Sequence, residues 1–522
     1  MTDDGSGAQE RHATTLAEVV AVSAAVAATR SRTAKTAALA GLLHGCPPAE
    51  VGLVVSYLSG VLPQRRLGVG FRSLGSLPDP AGEPGLTVTE VDASFERLAR
   101  TSGAGSTSSR RSELAALLGA ATADEQRFLR DLMTGNLRQG ALDGVVLKAI
   151  ATAFEVPEPV VRRAVMLAGY AADVAEIAAT GGQHALEAVG LVVGRPLRPM
   201  LAASAKTPEE AVAGLGEGPI IIDGKLDGIR VQVHRRDGEI TVYTRSLDEI
   251  TERVPEVVEA VATLPGGDLV LDGEAIVLLD GGRPAPFQVT GSRTASSAEV
   301  EGLRETVPLT TFFFDALHVD GRDLLDDPAL ARHDALVAVA PHLLVPRRVT
   351  SDRNEAGSFF DDLVARGHEG VVVKDGSRPY AAGRRGGGWV KVKPVHTLDL
   401  VVLAVEWGSG RRKGQLSNIH LGARDPATGG LVMVGKTFKG MTDEMLAWQT
   451  RRFTELATTG TDGWVVPVRP EQVVEIALDG ILRSTRYPGG VALRFARVVR
   501  YRDDKTPAEA DTIDAVRALG SG

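Results

Sequence analysis

The run Ile220-Ile221-Ile222-Asp223-Gly224-Lys225-Leu226-Asp227-Gly228 sets a lysine between two glycines, directly after an apolar stretch. A lysine held in this way is a candidate nucleophile, because its neutral amine attacks phosphorus. Alone, Lys-x-Asp-Gly is a weak signal, since most such strings are β-turns with a solvated lysine. Residues downstream strengthen it. Glu274, in Leu271-Asp272-Gly273-Glu274, and Glu369, in Glu369-Gly370-Val371-Val372-Val373-Lys374, each lie beside a β-like run. Their hard carboxylate oxygens suit Mg2+. In Trp389-Val390-Lys391-Val392-Lys393 the two-residue period puts both lysines on one strand face, which suits a row of phosphates.

A second motif is misleading. Gly430-Leu431-Val432-Met433-Val434-Gly435-Lys436-Thr437 fits the phosphate-loop pattern G-x-x-x-x-G-K-T letter for letter. Such a loop needs flexible residues between its glycines and should follow a strand and open a helix. Four apolar residues fill the gap here, so the segment predicts a strand carrying Lys436.

The elements that must hold these residues change along the chain. Residues 14 to about 190 are rich in Ala, Leu, Val, Glu and Arg with little alternation, and read as helical. From Pro219 come short β-like runs such as GIRVQVHR, EITVYTR and LTTFFFDALHV, punctuated by Asp-Gly, Gly-Gly and Pro. The stretch 195–219 between them reads as a linker or capping strap. After Pro394 the alternation resumes, and five strands with one helix suggest a small OB-like barrel.

At 522 residues the chain is long enough for roughly two to four domains. Its single cysteine, Cys46, excludes an intrachain disulfide and any multi-cysteine zinc site. The polar, acidic start is unlike a signal peptide, and the apolar run Ala17 to Ala28 is too short to span a bilayer. A cytoplasmic protein with no membrane partner is expected. The net charge of −8 argues mildly against a polyanionic partner. Between Ile481 and Lys505, however, seven basic residues stand against two acidic ones, a candidate polyanion surface.

Taken in order, the lysine motif, Tyr243-Thr-Arg245-Ser, Leu271-Asp-Gly-Glu274, Phe312-Phe-Phe-Asp315, Glu369–Lys374, Trp389–Lys393 and Arg497-Val-Val-Arg500-Tyr-Arg502-Asp-Asp504-Lys505 resemble the motifs of ATP-dependent DNA ligases, in the nucleotidyltransferase superfamily. Tyr57–Gly60, Gly68–Gly70, Phe128–Gly140 and Arg195–Ala202 look like the helical domain preceding the core in larger ligases. The resemblance implies a multidomain chain: a disordered tail (1–13), an all-α DNA-binding domain (14–205), an α+β nucleotidyltransferase (adenylation) domain (206–394) and a β-barrel OB-fold domain (395–522). It implies ATP as cosubstrate, Mg2+, nicked double-stranded DNA as partner, and a monomer.

It also implies roles for residues. Lys225 would carry AMP after losing its proton, which neighbouring cations and Mg2+ favour. Glu369 would serve the metal, and Glu274 the ribose or the metal. Phe314 would stack on adenine, with Phe312 on the same side of its strand and Phe313 on the other. Asp223 stands where the family usually has a glutamate reading the adenine amino group, and is one methylene shorter. Lys391 and Lys393 would meet phosphates, while Arg230, Arg245 and Arg385 would contact ATP or the nick phosphate. Arg500, Arg502 and Lys505 would orient the pyrophosphate after a swing of the barrel.

Overall fold

A computed structural model describes residues 12–75, 77–103, 105–137, 139, 143–295, 300–381 and 388–520. Arg138, Gly140, Arg385 and nearly all of the expected tail lie outside them. Among the described residues, nine α-helices run from Leu16–Ala28 to Ala171–Glu187. Three begin with a capping box, in which Thr15, Thr87 and Thr122 exchange hydrogen bonds with Glu18, Glu90 and Glu125. Each box satisfies two otherwise orphaned N–H groups and fixes where the helix starts. The apolar faces meet in one core holding Leu16, Leu43, Val54, Tyr57, Phe95, Leu129 and Ile150.

The strap that follows is a seam. Val193, Leu197 and Met200 are buried with Met166 and Leu167 from the helices and with Val270, Leu317, Leu325, Tyr380 and Trp389 from the next region. Its end, β1 (Ala203–Ala205), joins a five-stranded sheet of order β1-β10-β9-β2-β8. The other members are β2 (Ile220–Lys225), β8 (Arg347–Thr350), β9 (Gly370–Asp375) and β10 (Trp389–Val392). A second sheet, of order β4-β3-β5-β6-β7, contains β3 (Ile229–Arg236), β4 (Glu239–Thr244), β5 (Leu269–Val277), β6 (Leu309–Val319) and β7 (Arg322–Asp323). Only Leu226, Asp227 and Gly228 separate β2 from β3, so the lysine motif is the crossing from one sheet to the other.

The C-terminal region has more strands than expected. Eight are present among the described residues rather than five: β11 (His396–Trp407), β12 (Leu416–Arg424), β13 (Leu431–Thr437), β14 (Val465–Pro467), β15 (Val473–Leu478), β16 (Gly480–Arg483), β17 (Val491–Arg494) and β18 (Arg497–Arg502). Six form one sheet and β16-β17 a separate hairpin. β14, β16 and β17 have only three or four residues, too few for alternation to register. The helix Asp443–Leu456 lies between β13 and β14. Lys436 is a strand residue, and its ammonium donates to Glu406 (2.6 Å), which also accepts from His420 (2.8 Å) and Asn418 (2.7 Å). No helix among the described residues is long and apolar enough to cross a membrane.

Two buried ionic contacts give stability predictions. Arg332, fully buried, pairs with Asp315 through Nε (2.8 Å) and Nη2 (3.0 Å). Arg332→Met strands that carboxylate and should cost about 3–5 kcal/mol in calorimetric unfolding, whereas Arg332→Met with Asp315→Leu should cost less. Burial alone would raise the Glu406 carboxyl, but Lys436, His420 and Asn418 hold it down at about 2. Its stabilising contribution is therefore complete above the ordinary glutamate range near 4.5 and lost as pH falls toward 2. The stability gap between wild type and Glu406→Gln should narrow on acidification, measured as melting temperature at pH 6 and pH 3.

Candidate active site

Strand alternation sorts the first sheet into two chemical faces. Ile220, Ile222, Val371, Val373, Val390 and Val392 pack against Ala211, Val212, Phe359 and Leu363 from the covering helices. The opposite face therefore carries Asp223 and Lys225 on β2, Val372 and Lys374 on β9, and Trp389 and Lys391 on β10. Cross-strand register pairs Asp223 with Val372, Val372 with Lys391, Lys374 with Trp389, and Lys225 with Gly370. Lys393, just past β10, continues the row. The expected paired-lysine face is present.

At the end of β2, Lys225 and Lys393 both form ion pairs with Glu369, one to each carboxylate oxygen. The Glu369 N–H donates to the carbonyl of Lys225 (3.1 Å), locking the two segments together. Burial would lower the Lys393 ammonium, but Glu369 and Asp479 hold it above its usual range. Lys391 is held below that range, by burial first and then by Lys393, Lys225 and Arg245, which is exposed after β4. Lys393, Lys225 and Arg245 are thus near enough to Lys391 to act on its charge, and Glu369 pairs with Lys225 and Lys393. Glu274, on β5, is pushed up to about 7 by burial, with Lys225 and Arg230 pulling the other way. Its Oε1 accepts from the Gly228 N–H (3.2 Å). Gly228 is required here, since a Cβ would stand 2.4 Å from the Ala275 carbonyl oxygen. Gly370 has φ +135°, and a Cβ there would meet the Val392 carbonyl oxygen.

Phe314 is partly exposed and lies edge-to-face with Trp389 (centroids 5.8 Å), which shares a strand face with Lys391. The guanidinium of Arg230 and the ammonium of Lys374 stand over its ring at 5.4 and 5.0 Å. Arg230 is itself fixed: it donates to Asp272 from Nε (3.0 Å) and Nη2 (2.6 Å) and to the Met200 carbonyl (2.7 Å). Tyr380 donates to the same Asp272 carboxylate (2.8 Å). The Asp223 carboxylate is buried and engaged, accepting from Arg347 Nε (2.5 Å) and Nη2 (2.8 Å) and pairing with Lys374 (2.7 Å). Although burial alone would raise it, Arg347 and Lys374 keep it below the usual carboxylate range.

Arg500, Arg502 and Lys505 are not part of this gathering. Arg500 pairs with Glu475 (2.7 Å), Arg502 with Asp399 (3.0 Å) and Asp504 (2.7 Å), and Lys505 with Asp399 (2.6 Å), all within the C-terminal region. Other residues of that region reach the site. Asp479 pairs with Lys393 (3.3 Å), and Arg494 forms a two-point pair with Asp227. Gln288 exchanges two hydrogen bonds with the Arg483 backbone (both 3.2 Å). Sequence reading gave no role to Asp227, Asp272, Arg347, Asp479 or Arg494. Asp227 and Asp272 lay inside the quoted motifs and Arg494 inside the basic run, but nothing in the sequence marks Arg347.

Three family models match the chain: DNA ligase N terminus over residues 68–151, ATP dependent DNA ligase domain over 199–393, and ATP dependent DNA ligase C terminal region over 412–505. A probable DNA ligase of Beutenbergia cavernae is 60% identical over 512 residues, covering 97% of this chain and 99% of its own. DNA ligase B of Mycobacterium tuberculosis (strain CDC 1551 / Oshkosh) is 58% identical over 508 residues, with the same coverage. A solved structure called Pmar-Lig_PreS3, 19% identical, superposes with a TM-score of 0.63 over 93% of this chain and 99% of that one, which shows a shared overall fold. With a helical N-terminal domain, an adenylation domain and a strand-rich C-terminal domain in matching order, the chain belongs to the ATP-dependent DNA ligase family.

Proposed function

We propose that this chain seals nicks in duplex DNA through a covalent AMP adduct on Lys225, serving DNA replication, recombination or repair. The observation that carries this reading is the pairing of Lys225 and Lys393 with one carboxylate, Glu369, at the end of a strand face that also carries Lys391 and Trp389, with a partly exposed Phe314 packed on Trp389. A row of amines suits a triphosphate, and an aromatic face suits a base. In the first step the neutral Lys225 amine attacks the α-phosphorus of ATP; a P–N bond forms, the bond to pyrophosphate breaks, and the lysine proton is lost. AMP then passes to the 5′-phosphate at the nick, and the 3′-hydroxyl displaces it. Most of the catalysis is positioning and charge neutralisation.

Within the pocket, Phe314 stacks the base, Asp223 lies at its edge, and Lys391, Lys393, Arg230, Arg245 and Arg385 meet phosphate or ribose. Among the described residues no three His, Cys, Asp or Glu side chains form a closed metal cage. Mg2+ is commonly held by one or two carboxylates plus substrate phosphates, a donor set that Glu369 and Glu274 fit. Held there, it would supply neutralisation of phosphate charge. The C-terminal domain, read as an OB-fold barrel over residues 395–522, brings Arg500, Arg502 and Lys505 to the pyrophosphate by exchanging their present carboxylate partners for it. The helical domain, residues 14–205, grips the duplex, and the enzyme works as a cytoplasmic, nucleoid-associated monomer.

Incubation with Mg2+ and ATP labelled at the α-phosphate should transfer label to the protein, and labelled GTP or NAD should not. Lys225→Ala should abolish transfer while still sealing a nick that already carries 5′-adenylate. An equal loss on that pre-adenylated nick would count against the assignment. Arg502→Ala should slow self-adenylation by about a hundredfold and leave sealing of the pre-adenylated nick within about threefold. Rapid-quench measurement of the separate steps decides it.

A further inference from the structure

We propose that Arg347 is a positioning residue for nucleobase recognition, setting the Asp223 carboxylate and the Phe314 backbone against one another; this rests on the adenylation reading above. Arg347 opens β8, directly across from Asp223 in the register. Its side chain is only 6% exposed, and the Asp223 and Lys374 side chains are 3% exposed. A buried guanidinium needs partners for its donors, and this one spends four of its five N–H groups on Asp223, Phe314 and His333. Nε and one Nη2 hydrogen bond go to Asp223 on β2, and Nη2 also donates to the Phe314 carbonyl on β6 (2.7 Å). Nη1 donates to His333 Nδ1 (2.7 Å).

Lys374 repeats the bridge from the third strand, pairing with Asp223 Oδ2 (2.7 Å) and donating to the same Phe314 carbonyl (2.8 Å). Its ammonium also stands 4.3 Å from the centroid of Trp389. Two cations therefore tie the strand that ends in Lys225 to the strand that presents the stacking ring. A carboxylate offers about four lone-pair sites. Arg347 and Lys374 fill one on Oδ1 and two on Oδ2, leaving one acceptor site on Oδ1. That remaining site suits the exocyclic amine of a purine lying on Phe314, and the planar fork decides where it points. Lysine at 347 could not make the same two-point contact, because its ammonium lacks the fork.

The test uses full-length protein and two triphosphates, ATP and the purine ribonucleoside triphosphate that lacks the 6-amino group, with initial rates of self-adenylation as the readout. Wild type should favour ATP. Arg347→Met should raise KM for ATP about tenfold with kcat within about twofold, and should narrow the preference between the two nucleotides. In a Phe314→Leu background the same substitution should add little, since the two act as a unit. Arg347→Lys, a milder change, should show a smaller shift of the same kind that Asp223→Glu partly reverses by restoring reach. The proposal is overturned if wild type does not distinguish the nucleotides, or if either Arg347 variant lowers the melting temperature while preference and KM stay at wild-type values. Absence of label on wild type from both nucleotides would instead remove the adenylation reading itself.

Discussion

Glu369 stands between two ammonium groups, and the charge balance at that point supports the rest of the site. Lys225, Lys391 and Lys393 are close enough to repel, with Lys391 already held low by burial and by its neighbours. Like charges so near one another in a partly buried setting are unfavourable without a counter-charge. Glu369 supplies it, one oxygen to each of two lysines, while its own N–H anchors to the Lys225 carbonyl. In the proposed reaction a triphosphate would offer the same amines a stronger set of acceptors, so that one arrangement serves both the folded protein and its substrate.

Backbone geometry makes that meeting possible. Lys225 ends a strand in one sheet, and three residues later the chain enters the other, so its amine is held where the two sheets meet. The gap is closed from behind by polar bridges: Arg347 and Lys374 from Asp223 to Phe314, and Arg230 from Asp272 to the strap at Met200. Gly228 and Gly370 permit close approaches that a Cβ would block. Apolar packing on the outer face, through Ile220, Ile222, Val371 and Val373, keeps β2 and β9 in register.

The C-terminal domain touches this pocket with residues other than those expected to handle pyrophosphate. Asp479 and Arg494 make the contacts, while Arg500, Arg502 and Lys505 are satisfied by Asp399, Glu475 and Asp504 within their own domain. A domain held by a few ion pairs and hydrogen bonds can exchange them for others at little net cost, because partly exposed pairs are individually weak. That is the energetic condition for a cycle in which one domain presents different faces at different steps.

Much of this was legible in the residues. Period-two alternation foretold the paired lysine face of β10, and the four apolar residues between Gly430 and Gly435 ruled out a phosphate loop, as Lys436 on β13 bears out. The lysine motif and its ordered companions pointed to the family. β14, β16 and β17 escaped notice, because alternation needs length to rise above chance, and β10, just as short, stood out only through its paired lysines. Arg347 carried no signal at all, since its partners Asp223, Phe314 and His333 lie 124, 33 and 14 residues away. Sequence by itself determined which groups this protein owns and which strand faces they share, because those follow from local periodicity. Tertiary structure alone decided which charges meet across the two sheets, because an ion pair depends on distance in space, and folding sets that through contacts between strands far apart in the chain.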